Sequence, residues 1–229
     1  MKTAIITGGS GSIGSALVEE FSADHRVIFT YLKNRNKAEE IAEKCGAEAF
    51  CCDIASESDI KKLFNTVSSC DLLINNAGIS SVGLFTDMSA NAISDVINTD
   101  LTGAMLVAKA FLPLMIRRKS GCIINISSIW GVYGASCEVT YSAAKAGIIG
   151  FTKALAKEVG PSGVRVNCIA PGLIESEMNA HLSAEELETF AAETSLGRIG
   201  KPSDVAHAAR YLSQADFVTG QVLGVDGGF

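Results

Sequence analysis

Charge is scarce in this chain. Asp, Glu, Lys and Arg make up 19 % of its 229 residues, and acids outnumber bases to give a net charge of −6. Nucleic acids and anionic membranes are held chiefly by Lys and Arg, so neither is expected as a partner. The longest basic run, Arg117-Arg118-Lys119, comes just before Gly121 and fits a solvated helix C-terminus, where cations are favoured. Cysteine occurs seven times, an odd number, with no Cys-x-x-Cys pair and no Cys/His cluster. That pattern argues against a disulfide framework and against a metal site, and it predicts reduced thiols in a cytoplasmic protein. No uninterrupted apolar run approaches the roughly 20 residues of a membrane span. Met1-Lys2 leads straight into Thr3–Thr7, which reads as a buried strand, so no signal peptide is expected. No linker, repeat or shift in composition divides the chain, and a single domain over residues 1–229 is the simplest organisation.

What is abundant is apolar sequence, 48 % of the chain. With so little charge, either part of the surface is buried against another subunit or a parallel sheet is covered on both faces. Short apolar runs at 4–7, 27–31, 49–51, 72–75, 122–126, 165–169 and 221–225 read as strands. Helical periodicity occupies 13–22, 38–45, 56–68, 92–116, 142–159 and 203–212 between them. This alternation predicts an α/β fold, a doubly wound parallel sheet with helices on both faces. Ser56 followed by Glu57 and Asp59, and Ser203-Asp204 after Pro202, mark helix starts. The stretch 175–200 is less regular and holds one short helix, 184–192; it is either a lid over a site or a surface excursion.

The first strand runs into Thr7-Gly8-Gly9-Ser10-Gly11-Ser12-Ile13-Gly14 and then a helix. A glycine-rich strand-to-helix turn lets backbone N–H groups approach a pyrophosphate, and the helix N-terminus adds partial positive charge. Further on, Tyr141 and Lys145 stand at i and i+4, on one helix face. A phenol titrates near 10, about three units too high to act as a base at neutral pH. A neighbouring ammonium stabilises the phenolate, so Tyr141 can give a proton to a carbonyl oxygen or take one from an alcohol.

These motifs resemble those of the short-chain dehydrogenase/reductase family. The likeness spans nearly the whole chain: the glycine turn, Asn75-Asn76-Ala77-Gly78 after strand four, Ser128 thirteen residues before Tyr141-Ser142-Ala143-Ala144-Lys145, Pro171-Gly172 after strand six, and Asp226-Gly227-Gly228. The resemblance implies a Rossmann-type fold and hydride transfer between a nicotinamide cofactor and a carbonyl or secondary alcohol. It implies Ser128, Tyr141 and Lys145 as catalytic residues, with Ser128 orienting the substrate oxygen and Lys145 also holding the nicotinamide ribose. The implied cofactor-binding set comprises Gly8, Ser10, Gly11, Ser12, Ile13 and Gly14 in the turn, Tyr31, Lys33 and Arg35 after strand two, and Asp53 and Ile54 after strand three. Asn76, Ala77 and Gly78, then Pro171, Gly172 and Ile174, complete it beside Tyr141 and Lys145.

Two positions depart from the family pattern. Ser12 stands at the middle glycine of the turn, so its φ must be negative or the loop must shift, with Gly11 supplying freedom. Asp100 stands where the family has a fourth catalytic Asn, linked through water to the lysine. A carboxylate there favours a charged Lys145 and offsets part of its effect on Tyr141; Asn98, two residues earlier, faces away. Strand two ends at Tyr31 with no acid before Glu39, while Lys33 and Arg35 follow. This favours NADP(H), with NAD(H) the alternative. Within the family the likeness runs to 3-oxoacyl-[acyl-carrier-protein] reductases, implying an acyl-thioester substrate and acyl carrier protein as partner, with Arg117, Arg118 and Lys119 as its basic contact. Sugar, steroid and other ketone dehydrogenases share the motifs, and a catalytically weak regulatory protein on the same fold is the reading from a different class. Ser80, Ser81, Tyr133 and Met178 are expected to line the substrate pocket. Family resemblance also implies a homotetramer or homodimer joined through 92–116, 142–159 and the last strand.

Overall fold

The computed structural model describes residues 1–179 and 182–229; nothing is described of the Met178 side chain. The chain runs β1 (Lys2–Ile6), α1 (Ser12–Ser22), β2 (His25–Tyr31), α2 (Arg35–Cys45), β3 (Glu48–Cys51), α3 (Glu57–Asn65) and β4 (Leu72–Asn75). It continues with α4 (Ala90–Ile97), α5 (Ala104–Arg118), β5 (Gly121–Ile126), α6 (Ile129–Tyr133), α7 (Val139–Val159), β6 (Val164–Pro171), α8 (Ala184–Glu193), α9 (Pro202–Gln214) and β7 (Val222–Val225). The seven strands pair in parallel in the order β3-β2-β1-β4-β5-β6-β7.

Both sheet faces are covered, which is why the strands read as continuous apolar runs rather than alternating ones. On one face Leu17, Val18 and Phe21 of α1 and Val205, Ala209 and Leu212 of α9 pack on Ala4, Ile6, Val27, Phe29, Ile74 and Ile124. On the other, Val107, Phe111 and Met115 of α5 and Ala156 and Val159 of α7 pack on Ile5, Ile28, Leu73, Ile123 and Val166. Chain order reverses between β1 and β4, so a crevice opens at the carboxyl ends of those strands, where ligands of such sheets bind.

Two local features depart from the sequence expectation. The helix expected over 92–116 is two helices joined by one wide, π-type turn, Asn98–Gly103. The continuous stretch Ala90–Arg118 is long and apolar enough to cross a membrane by length and composition. Its apolar face is taken up by the sheet, with Val107, Phe111 and Met115 at 0 % exposure. The short helix α6 was not anticipated; it follows Ser128, which caps it by accepting from Trp130 N at 3.1 Å.

Candidate active site

The glycine turn is held by its neighbours. Thr7 Oγ1 accepts from Asn76 N and Ala77 N at 2.9 and 3.0 Å. Asn76 Nδ2 donates back to the carbonyls of Thr7 and Gly8 at 3.0 and 3.1 Å. From β2, Thr30 accepts from Gly8 N through its hydroxyl and from Gly9 N through its carbonyl. The turn is therefore fixed before any ligand arrives. Gly8 has φ +67°, and a Cβ on Gly14 would meet the Gly8 carbonyl oxygen at 2.1 Å. Both must be glycine for α1 to start this close to the strand.

Ser12 causes no strain. It is the first residue of α1 with a negative φ, and Gly11 before it is extended at φ −75°, ψ 170°. The left-handed freedom expected of Gly11 is not used. The Ser12 hydroxyl accepts from Glu177 N at 3.4 Å, joining the turn to the segment before α8. The start of α1 has no side-chain cap and no acid in its first turn. By contrast α3 and α8 are capped by Ser56 and Ser183 and carry acids there. Uncapped N–H groups opening on a crevice suit an anion, so the turn fits the pyrophosphate of a dinucleotide.

One cleft of about 720 Å³ runs along the carboxyl ends of the strands from this turn. It is lined by every residue expected to bind cofactor except Arg35. Lys33 faces the cleft at the β2 end, whereas Arg35 begins α2, is exposed, and lies 3.9 Å from Glu39. The β2 end also brings Leu32 and Asn34, which the sequence reading missed. Ser80 lines the cleft, but Ser81 and Tyr133 do not; Trp130, Glu138 and Phe190 line it instead.

At the other end of the cleft, α7 carries Tyr141 and Lys145 past β5. Asn75 Nδ2 donates to Asn125 Oδ1 at 2.9 Å, and Asn125 Nδ2 to Thr152 Oγ1 at 2.9 Å, so a buried polar chain locks α7 to the sheet. Ser127 Oγ donates to the Lys145 carbonyl at 2.8 Å. Lys145 Nζ donates to the Ile126 carbonyl at 3.3 Å and lies 5.4 Å from the Tyr141 ring centre. The Ser128 side chain acts on the Tyr141 phenol and lowers its pKa. With Trp130 N already donating to its oxygen, its hydroxyl proton is free to point at a substrate.

Asp100 does not wait for a bridging water. Its Oδ2 lies 3.1 Å from Lys145 Nζ, both side chains being almost fully buried. The contact is an ion pair rather than an aligned hydrogen bond. Oδ1 accepts from Ile79 N at 2.8 Å. The π-type turn carries Asp100 inward while Asn98 stays exposed at the cleft rim. Gly78 makes room for the pair, since a Cβ there would meet Asp100 Oδ2 at 2.6 Å and Lys145 Nζ at 3.1 Å. Burial alone would lower the Lys145 pKa, but Asp100 and Tyr141 outweigh it and hold the ammonium above the usual lysine range. Burial raises the Tyr141 phenol above its ordinary value; Lys145 pulls it down and Asp100 pushes it back up. Asp100 thus secures the lysine charge at a cost to its effect on the phenol.

Among the described residues no cluster of His, Cys, Asp and Glu could hold a metal ion. The seven cysteines are unpaired. A dinucleotide-sized cleft, an uncapped helix start at one end and a Ser–Tyr–Lys group at the other define a nucleotide-dependent oxidoreductase. Comparison with known proteins agrees. A family model described as enoyl-(acyl carrier protein) reductase matches residues 8–229. The chain is 41 % identical over 239 aligned positions to the 3-oxoacyl-[acyl-carrier-protein] reductase FabG of Aquifex aeolicus (strain VF5), covering 99 % of this chain and 96 % of that protein. It is 39 % identical over 238 positions to the uncharacterized oxidoreductase YmfI of Bacillus subtilis (strain 168), covering 100 % and 98 %. A human 3-oxoacyl-[acyl-carrier-protein] reductase is 36 % identical over 233 positions, with 99 % and 97 % covered. The chain belongs to the short-chain dehydrogenase/reductase family and is an oxidoreductase using a nicotinamide cofactor.

Proposed function

We propose that this enzyme reduces 3-oxoacyl thioesters to 3-hydroxyacyl thioesters with NADPH, the acyl group being carried on acyl carrier protein. The observation that carries this reading is the convergence of the Ser128 hydroxyl and the Tyr141 phenol beside a buried, charged Lys145, together with relatives named for that reaction. Two hydroxyl groups in one cleft beside a buried ammonium suit a carbonyl oxygen that becomes an alcohol.

The nicotinamide, when bound, supplies the hydride. The N-terminus of α1 would hold the pyrophosphate, and Asp53 and Ile54 of the cleft would border the adenosine. Ser128 Oγ donates to the substrate carbonyl oxygen and fixes its position. Tyr141 Oη delivers its proton to that oxygen as negative charge develops there. Lys145, kept charged by Asp100, stabilises the phenolate left behind. Pro171, Gly172 and Ile174 border the nicotinamide end of the cleft.

Preference for NADPH rests on the end of β2. Tyr31 is buried there, no acid follows it in the sequence before Glu39, and Lys33 lines the cleft. Arg35 is left out of that role by its position outside the cleft. We further place the enzyme in the cytoplasm, as a homotetramer or homodimer using the exposed apolar side chains of α5, among them Met105 and Ile116. Sizing by light scattering tests the assembly. The test of function is kcat/KM for a 3-oxobutanoyl N-acetylcysteamine thioester with NADPH and with NADH. Turnover favouring NADPH supports the reading. Activity only on sugars or steroids, or a preference for NADH, overturns it.

A further inference from the structure

Glu138 is an acid in an unexpected place. It immediately precedes α7, three residues before Tyr141, and lines the catalytic end of the cleft. An acid at a helix start is usually a cap, yet its side chain caps nothing. Instead Glu138 Oε2 accepts from Ser80 Oγ at 3.1 Å across the cleft wall. A second bond, Gly83 N to the Cys137 carbonyl at 2.8 Å, ties the same two loops. Ile79, beside Ser80, is bound to Asp100. Glu138 is thereby linked through Ser80 and Ile79 to the Asp100–Lys145 pair, and it lines the same cleft. Its charge also acts on the phenol, opposing ionisation of Tyr141. Among the described residues no Lys, Arg or His comes within ion-pair distance of it, and the positive charge of Lys145 is already matched by Asp100. This end of the cleft therefore carries unbalanced negative charge.

We infer that Glu138, positioned by Ser80, is a specificity determinant that rejects free 3-oxo carboxylates and admits their neutral esters and thioesters. This rests on the proposed reduction of 3-oxoacyl thioesters and names what separates that substrate from its hydrolysis product. The free acid brings a second carboxylate into the same end of the cleft as Glu138, whereas the thioester is uncharged there. Repulsion of this kind builds specificity by penalising the competitor rather than by improving the substrate.

The test is kcat/KM of the wild type, Glu138→Gln and Glu138→Asp, at saturating reduced cofactor, on ethyl 3-oxobutanoate, 3-oxobutanoate and the 3-oxobutanoyl N-acetylcysteamine thioester. Glu138→Gln keeps the length of the side chain and an oxygen for Ser80 while removing the charge. It is expected to lower the ester-to-acid ratio about tenfold, mainly through KM for the acid. Glu138→Asp, still charged, is expected to retain the discrimination. An unchanged ratio in Glu138→Gln, or an equal fall in both variants, overturns the inference. Turnover of the ester without the thioester overturns the proposed function while the ester-to-acid ratio still decides the role of Glu138. Quenching of Trp130, the sole tryptophan and a cleft residue, gives the same ratio as binding constants for 3-hydroxybutanoate and its ethyl ester if turnover is slow.

Discussion

Asp100→Asn is the substitution that probes the site most directly. It removes one negative charge and nearly preserves shape, so the Asn oxygen still accepts from Ile79 N. Asp100 Oδ2 is 3.1 Å from Lys145 Nζ, which is 5.4 Å from the centre of the Tyr141 ring. The Asp100 carboxylate therefore lies close to the phenol in a buried site, where its repulsion of the phenolate is weakly screened and raises the phenol pKa. Losing it lowers the phenol pKa, because Asp100 acts to raise it. Lys145 also loses its counter-charge, since the amide nitrogen takes the Oδ2 position, and keeps the Ile126 carbonyl as its acceptor. Reduction needs the protonated phenol, so the basic limb of kcat/KM is expected to move toward lower pH. Oxidation of the hydroxy ester needs the phenolate and is expected to begin at correspondingly lower pH. Profiles in both directions, at saturating cofactor, provide the measurement. A basic limb that stays put, or moves to higher pH, refutes this account of Asp100. Stability gives a second readout. Lys145 has a raised folded pKa, so its contribution is present at neutral pH and is lost as pH climbs through that value, above the usual lysine range. The variant should lose part of that contribution at neutral pH, seen as a lower Tm.

Gly14→Ala should cost stability and cofactor affinity together, since its Cβ would meet the Gly8 carbonyl at 2.1 Å; a Kd for NADPH within about twofold of wild type would argue against the packing described here. Lys33→Ala is expected to raise KM for NADPH more than for NADH, by about tenfold for one lost charge-assisted contact, while Arg35→Ala leaves the ratio unchanged; equal effects of the two variants would contradict the placement of Lys33 at the cleft. Thiol reagents at neutral pH should label exposed Cys51 and spare Cys70, Cys122 and Cys168, whose thiols burial pushes up, to about 11 for the latter two. Rapid labelling of Cys70 by mass spectrometry in the native protein would show that the sheet opens locally.

The fold was legible because its signals are local and repeated. Each strand buried on both faces leaves an unbroken apolar run, and each crossover helix leaves a 3.6-residue period. What stayed hidden has a different physical character. Apolar periodicity continues through 98–103, so a single wide turn that adds one residue to a helical loop leaves no mark on it. The five residues of α6 are too few to show a period. The bonds from Asn76 to the Thr7 and Gly8 carbonyls join residues 69 and 68 positions apart, which no local pattern encodes. Arg35 and Lys33 are equivalent as charges in a sequence. Only the start of α2 decides that one faces the cleft and the other faces Glu39.

The two departures from the family pattern illustrate why a residue type alone does not fix its consequence. Ser12 looked costly because serine resists positive φ, but the turn needs positive φ only at Gly8. At the first position of a helix a serine is tolerated, and its hydroxyl reaches Glu177 N. The same segment is tied to α2 by an ion pair of Lys37 with Glu177 at 2.5 Å. Ser12 therefore adds an anchor between the phosphate turn and the segment that leads into α8. Asp100 is the reverse case. It is nearly isosteric with Asn and sits without steric conflict, yet it replaces a neutral group by a charge in a buried site where charge acts strongly. The lysine it secures is the group that lowers the phenol pKa, and the same carboxylate opposes that lowering from slightly farther away. The balance favours a protonated Tyr141, which suits an acid that donates to a ketone better than a base that attacks an alcohol. The carboxylate at Asp100 thus extends toward higher pH the range over which Tyr141 can donate a proton, as the proposed reduction requires.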